Sequence, residues 1–90
     1  MDWTKKAGEL KAKYGDALAK HESDALAFIQ KKYGVKGTLS IENDAVSRAG
    51  LSEGELIDTC IRCGFDSTDF AGLIDKMTAD YYAKLESLAG

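Results

Sequence analysis

Apolar residues recur three and four positions apart over most of the chain, and this spacing predicts helices. Trp3, Ala7, Leu10, Tyr14, Ala17 and His21 share one helical face. Leu18, Ala25, Phe28, Ile29 and Tyr33 extend the pattern to Gly34, a residue able to take the left-handed cap conformation. Lys31 and Lys32 suit the negative end of the helix dipole there. A single helix from Trp3 to Tyr33 would be about 46 Å long at ~1.5 Å per residue. A domain of this size has a radius of gyration of roughly 12 Å, which does not accommodate such a rod. The tripeptide Lys-Tyr-Gly stands at 13–15 and again at 32–34, and the second copy reads as a helix end. By the same logic Gly15 ends a first helix and Asp16 caps a second. The pattern therefore predicts a break near Gly15-Asp16; the alternative is one long protruding helix, which implies a dimer.

Beyond Gly34 the pattern weakens. Val35, Leu39 and Ile41 alternate loosely, but no second strand-like run stands elsewhere to pair with them, so 35–41 is expected to be a loop pinned by Leu39 and Ile41. Glu42–Ala49 reads as a short helix ended by Gly50. Ser52-Glu53-Gly54-Glu55 forms a capping box and opens a helix from about Glu53 to Cys63, stopping at Gly64. Asp66, Ser67, Thr68 and Asp69 supply caps and acids for the last helix, along which Phe70, Leu73, Ile74, Met77, Tyr81, Leu85 and Leu88 recur. The neighbours Tyr81 and Tyr82 cannot both face one core from one helix, so Tyr81 is expected inside and Tyr82 outside. Residues 1–90 thus predict a single all-α domain, a compact bundle of four or five helices with short connections.

With 90 residues, 44% of them hydrophobic, the chain supports one core. Its uncharged runs fall far short of the ~20 apolar residues of a membrane span. The opening Met1-Asp2-Trp3-Thr4-Lys5-Lys6 lacks the pattern of an export leader. Cys60 and Cys63 are too few for a disulfide framework, so the expected location is cytoplasmic and stability must come from packing. In so small a domain burial and chain entropy nearly balance, which leaves room for stabilisation by a partner or a second copy.

Charge divides the chain. Residues 1–41 carry eight lysines against five acids, a net of +3, whereas 42–90 carry four basic residues against ten acids, a net of −6. Such halves either neutralise each other by packing or present two faces to different partners.

Ala45–Ile57 resembles a helix-turn-helix core, with a short helix, glycine in the turn and an apolar pair in the second helix. In a DNA reader the second helix meets base edges and phosphates. Here its first turns carry Glu53, Glu55 and Asp58, so like charge opposes that use. Lys6, Lys13 and Lys20, seven apart, would form a basic stripe if the first helix were continuous. Cys60-Ile61-Arg62-Cys63 has CxxC spacing, but it falls at a helix end, where the dipole opposes a reactive thiolate; packing is the favoured role. A zinc site would have to recruit His21 and acids. His21 invites comparison with helical phosphotransfer modules, but Asp24 and Ala25 replace their following Lys and Gly. With one histidine and no phosphate-cradling loop, no catalytic set assembles.

The sequence thus points away from an enzyme and from any cofactor or metal. It favours a small binding protein of inhibitor, immunity or adaptor type, of a kind phages and other mobile elements encode. Its acidic half would meet a basic protein surface through Glu53, Glu55, Asp58, Asp66 and Asp69, with Tyr82 as an aromatic anchor. The alternative is a dimeric helix-turn-helix regulator using its lysines on DNA phosphates.

Overall fold

A computed structural model describes residues 2–90, which are mostly helical. In chain order they form α1 (Trp3–Tyr14), a 3-10 segment (Gly15–His21), α2 (Glu22–Tyr33), β1 (Ser40–Glu42), β2 (Ala45–Ser47), α3 (Glu53–Arg62) and α4 (Phe70–Ala89). No helix among them is long and apolar enough to cross a membrane.

The first helix ends where its spacing predicts, but Asp16 does not cap the second, which begins only at Glu22 after the 3-10 segment. Asp2 caps α1 by accepting from the Thr4 amide at 3.0 Å, and the helix stops at Gly15, whose φ of 61° is open to glycine. The chain then tightens into the 3-10 segment and relaxes into α2. That helix ends at Gly34 in the left-handed conformation, whose amide reaches back to the carbonyls of Gln30 and Lys31. The break near Gly15-Asp16 is therefore present, and Trp3–Tyr33 is not one rod.

Where a short helix was expected over Glu42–Ala49, a β-hairpin stands instead. β1 and β2 pair antiparallel with Ser40 opposite Ser47, Ile41 opposite Val46 and Glu42 opposite Ala45. Asn43 and Asp44 form the turn with φ of 52° and 63°. A two-residue turn with both φ positive matches the right-handed twist of the strands, and Asn and Asp tolerate that region better than other non-glycine residues. The Asn-Asp pair outweighs the helical propensity of its neighbours, and three residues on each side suffice because the hairpin lies on α4. Ala45–Ser47 being a strand, the helix-turn-helix unit does not form.

α4 runs through the centre. Leu73, Met77, Tyr81 and Leu85, each four residues on, make a buried stripe, while Thr78 and Tyr82 turn toward the hairpin and α1. Because elements cover the helix on two sides, its buried arc is wide enough for both adjacent tyrosines. Tyr82 is only 4% exposed, which corrects the expectation that it faces solvent. Its ring stacks on Trp3 at 5.6 Å between centroids, and its hydroxyl donates to the Asp44 carbonyl at 2.6 Å. The Val46 amide donates to Thr78 Oγ1 at 3.0 Å, Trp3 Nε1 donates to Asp75 at 2.9 Å, and the Tyr33 hydroxyl donates to Asp80.

Two loops cross where neither tolerates a side chain. A Cβ on Gly50 would lie 2.2 Å from the Thr38 carbonyl oxygen, and one on Gly37 would lie 2.2 Å from the Gly50 oxygen. These glycines bring residues 35–39 against the turn before α3, and Leu39 and Leu51 are buried there. Leu39 pins the loop as expected, but Ser40 and Ile41, expected to lie in that loop, belong to β1 because a partner strand stands at Ala45–Ser47.

Two contrasts follow for unfolding by urea. Tyr82→Phe leaves the Asp44 carbonyl without its donor and should lower stability by about 1–2 kcal/mol. Tyr81→Phe removes a hydroxyl without an internal partner and should change it by less than ~0.5 kcal/mol. Gly50→Ala drives a methyl into backbone and should destabilise by at least ~2 kcal/mol, whereas Gly8→Ala on the open face of α1 should add about 0.5–1 kcal/mol. Equal effects within either pair would contradict the packing described.

Candidate functional site

The five acids named from the sequence do not act as one surface, because most are engaged in the fold. Ser52 caps α3 by accepting from the Glu55 amide at 3.1 Å, so half of the capping box forms. The Glu55 carboxylate does not reach back to Ser52. It crosses to the preceding loop and accepts from the amides of Lys36 at 2.7 Å and Gly37 at 2.9 Å, and these two bonds hold its pKa below the usual range. Asp66 accepts from the amide and hydroxyl of Thr68, which likewise hold its carboxyl down. Asp69 caps α4 through the Gly72 amide at 2.9 Å. Glu53 and Asp58 are exposed and, unlike the other three, bind no amide or hydroxyl among the described residues, Asp58 meeting Arg62 at 2.9 Å one turn on.

Arg62 belongs to the framework as well. Its Nη1 donates to the Tyr33 carbonyl at 2.8 Å, and its Nη2 donates to Thr59 Oγ1 at 3.1 Å, joining the ends of α2 and α3. Arginine at a helix C-terminus satisfies carbonyls that would otherwise lack partners.

The inward side of α3 is made by Leu56, Thr59 and Cys60. At 100° per residue the opposite side carries Gly54, Ile57, Asp58 and Ile61. Ile61 is 62% exposed, the more exposed of the two large hydrophobic side chains that stand out from the surface among the described residues; Ile57 precedes it by one turn and is partly exposed. Gly54 has open space where a side chain would go, and no turn or contact within the chain requires it to be glycine. The outward arc is thus a shallow apolar ridge with a smooth start, flanked by Glu53 and Asp58. Sequence reasoning placed the acids on this helix but assigned Ile57 to a helix-turn-helix core; a helical wheel of 53–63 separates the two sides and would have found the ridge.

The other exposed large apolar side chain is Phe28 on α2, at 39%. Lys84 Nζ stands 4.6 Å from its ring centroid, and Lys31 and Lys32 share its groove. The second lysine binds Asp80 at 3.1 Å. Burial opposes ionisation of Asp80, but the bonds from Tyr33 and Lys32 outweigh it and hold the carboxyl down. On α1, Lys6 and Lys13 both approach Glu86 of α4, at 3.9 and 3.8 Å. Lys20 lies beyond the break, so the three lysines do not continue one stripe. The basic half is thus partly neutralised by α4.

Cys60 is fully buried, with its thiol donating to the Asp69 carbonyl at 3.6 Å; burial, then the nearby acids, push its pKa up. Cys63 caps the end of α3, partly buried, and both thiols are free. His21 closes the 3-10 segment, half-buried. No group of three or more histidine, cysteine or acidic residues is placed to hold a metal among the described residues.

The role of Glu55 is testable by pH. Its folded pKa lies below the ~4.3 of an unfolded chain, so the stability it supplies is complete above that value and is lost as pH falls through the folded pKa. Glu55→Gln should therefore be less stable than the parent at pH 7, and the difference should shrink on acidification to pH ~3. Parallel urea-unfolding profiles for the two proteins would show that Glu55 does not hold the loop. Comparison with protein-family models, with curated proteins and with solved structures finds no match to this chain.

Proposed function

We propose that this chain is a binding domain that docks on another protein through the outward ridge of α3. The partner surface is an apolar cleft rimmed by basic groups. One observation carries the reading: Ile61 is exposed beside Ile57 on a side of the helix flanked by Glu53 and by Asp58, the latter paired with Arg62. Interfaces draw most of their energy from a few apolar anchors surrounded by polar groups, and their charged rims guide encounter. Gly54 supports it, since glycine inside a helix costs about 0.5–1 kcal/mol relative to alanine and no internal contact offsets that here. A partner backbone approaching closely at that point would.

This keeps the class expected from the sequence, an inhibitor, immunity or adaptor type of protein acting on a basic partner, but moves the contact. Glu55, Asp66 and Asp69 serve the fold, and buried Tyr82 is not its anchor; Ile57, Ile61, Glu53 and Asp58 are.

A photo-crosslinking residue placed beside Ile61 should capture a protein partner from cells of the source organism. Ile57→Ala with Ile61→Ala should then weaken binding to the purified partner at least tenfold, about 1.4 kcal/mol or more, with an unchanged unfolding midpoint. Glu53→Lys with Asp58→Lys should slow association and reduce its salt dependence. Undiminished binding by the double alanine variant would exclude the ridge as the contact.

A further inference from the structure

A cleft of about 240 Å³ opens where α1, the 3-10 segment, the hairpin and α4 meet. Leu18, Ile41 and Leu85 give it apolar walls, and its rim carries Lys11, Glu22 and Asp44. None of these three charged side chains has an ion pair among the described residues, although other lysines and acids of the chain are paired.

Tyr81 is the decisive residue. It is 98% buried, being 2% exposed, yet its hydroxyl has no hydrogen-bond partner among the described residues. The neighbouring Tyr82 hydroxyl is bonded to Asp44, and no fully enclosed side-chain oxygen or nitrogen lacks a partner. The Tyr81 hydroxyl is therefore not fully enclosed, and its side chain lines the cleft, which leaves the hydroxyl available to an occupant. Burial, followed by the charge of Glu22, raises its pKa, so the phenol remains protonated and able to donate.

These groups define the chemistry of an occupant. The Lys11 ammonium and the Tyr81 O–H are donors suited to a carboxylate. Glu22 and Asp44 are acceptors suited to an ammonium group, and the walls between them suit an apolar side chain. The volume lies just below the ~300–1,000 Å³ of drug-sized ligand pockets, which fits a molecule of amino-acid rather than nucleotide size. We propose that this cleft binds a free α-amino acid with an apolar side chain, its carboxylate held by Lys11 and Tyr81 and its ammonium group by Glu22 and Asp44. The site is separate from the α3 ridge and does not depend on the docking reading.

Titration of the intact chain with L-leucine, followed by two-dimensional amide NMR, tests the proposal. Saturable shifts are expected around Leu18, Ile41 and Asp44, with a Kd of roughly 0.1–1 mM. Leucinamide, which lacks the carboxylate, and N-acetylleucine, which lacks the ammonium group, should each bind at least ~10-fold more weakly. Lys11→Met should remove the preference for leucine over leucinamide. Tyr81→Phe should weaken leucine binding about tenfold while leaving the thermal midpoint unchanged, which separates a ligand contact from a structural role. Absence of saturable shifts up to ~10 mM leucine would overturn the proposal. So would leucinamide binding as tightly as leucine, which marks a simple cation site, or a Tyr81→Phe variant of unchanged affinity.

Discussion

α4 packs against α1, the 3-10 segment, α2, β2 and α3, and the polar groups along it decide how several of those elements sit. Asp75 takes the Trp3 indole of α1, Thr78 takes the Val46 amide of β2, Asp80 takes the Tyr33 hydroxyl of α2, and Tyr82 gives its hydroxyl to the hairpin turn. Hydrophobic burial along Leu73, Met77 and Leu85 is non-directional and would permit several arrangements of short helices around the same stripe. Hydrogen bonds have direction, and a buried group left without its partner carries a desolvation penalty. The four pegs therefore select one arrangement from those that burial alone would allow. The hairpin depends on this most, since two strands of three residues are not stable by themselves.

That arrangement also accounts for which parts of the fold were legible. Local signals carried the helices: Gly15 and Gly34 as stops, Ser52 and Asp69 as caps, and the apolar spacing of α2 and α4. The hairpin was missed because its strands are too short for alternation to register, and the Asn43-Asp44 turn was the one available cue. Tyr82 was misplaced for a different reason. A helix read alone is assigned one buried side, whereas α4 has two, and the second exists only because α1 and the hairpin return to it from far away in the chain. The Gly37–Gly50 crossing was equally illegible, since Gly37 is required by the Gly50 backbone and Gly50 by the Thr38 backbone, segments far apart in sequence.

The charges were harder still to read, for a physical reason. Asp and Glu at the start of a helix cap amides and complement the dipole with the same carboxylate that would attract a basic partner. Composition counts both uses alike. Glu55, Asp66 and Asp69 are consumed by amides and a hydroxyl within hydrogen-bond reach. Lys6, Lys13 and Lys32 are drawn to α4 by Glu86 and Asp80. The opposition between a basic first half and an acidic second half is thus partly spent within the domain, and what remains for partners is a smaller and differently placed set.

A sequence that specifies one structure keeps its local choices consistent with the global fold, and departures without an internal reason are where function is sought. Several departures here have internal reasons: the glycines at 37 and 50 allow a backbone crossing, and the positive φ of Asn43 and Asp44 makes a turn that docks on Tyr82. Three do not. Gly54 weakens a helix that needs no glycine there, Ile61 holds an apolar side chain in water, and the Tyr81 hydroxyl has no hydrogen-bond partner among the described residues. Alanine, a polar residue and phenylalanine would each satisfy the fold as well or better at these positions. The first two share one side of α3 and the third opens on the cleft beside Lys11 and Glu22, so the unexplained residues gather at two places rather than scattering over the surface. That placement supports a binding reading over incidental imperfection, because random departures from local rules have no reason to coincide with the exposed side of α3 or with a tyrosine that lines a cleft.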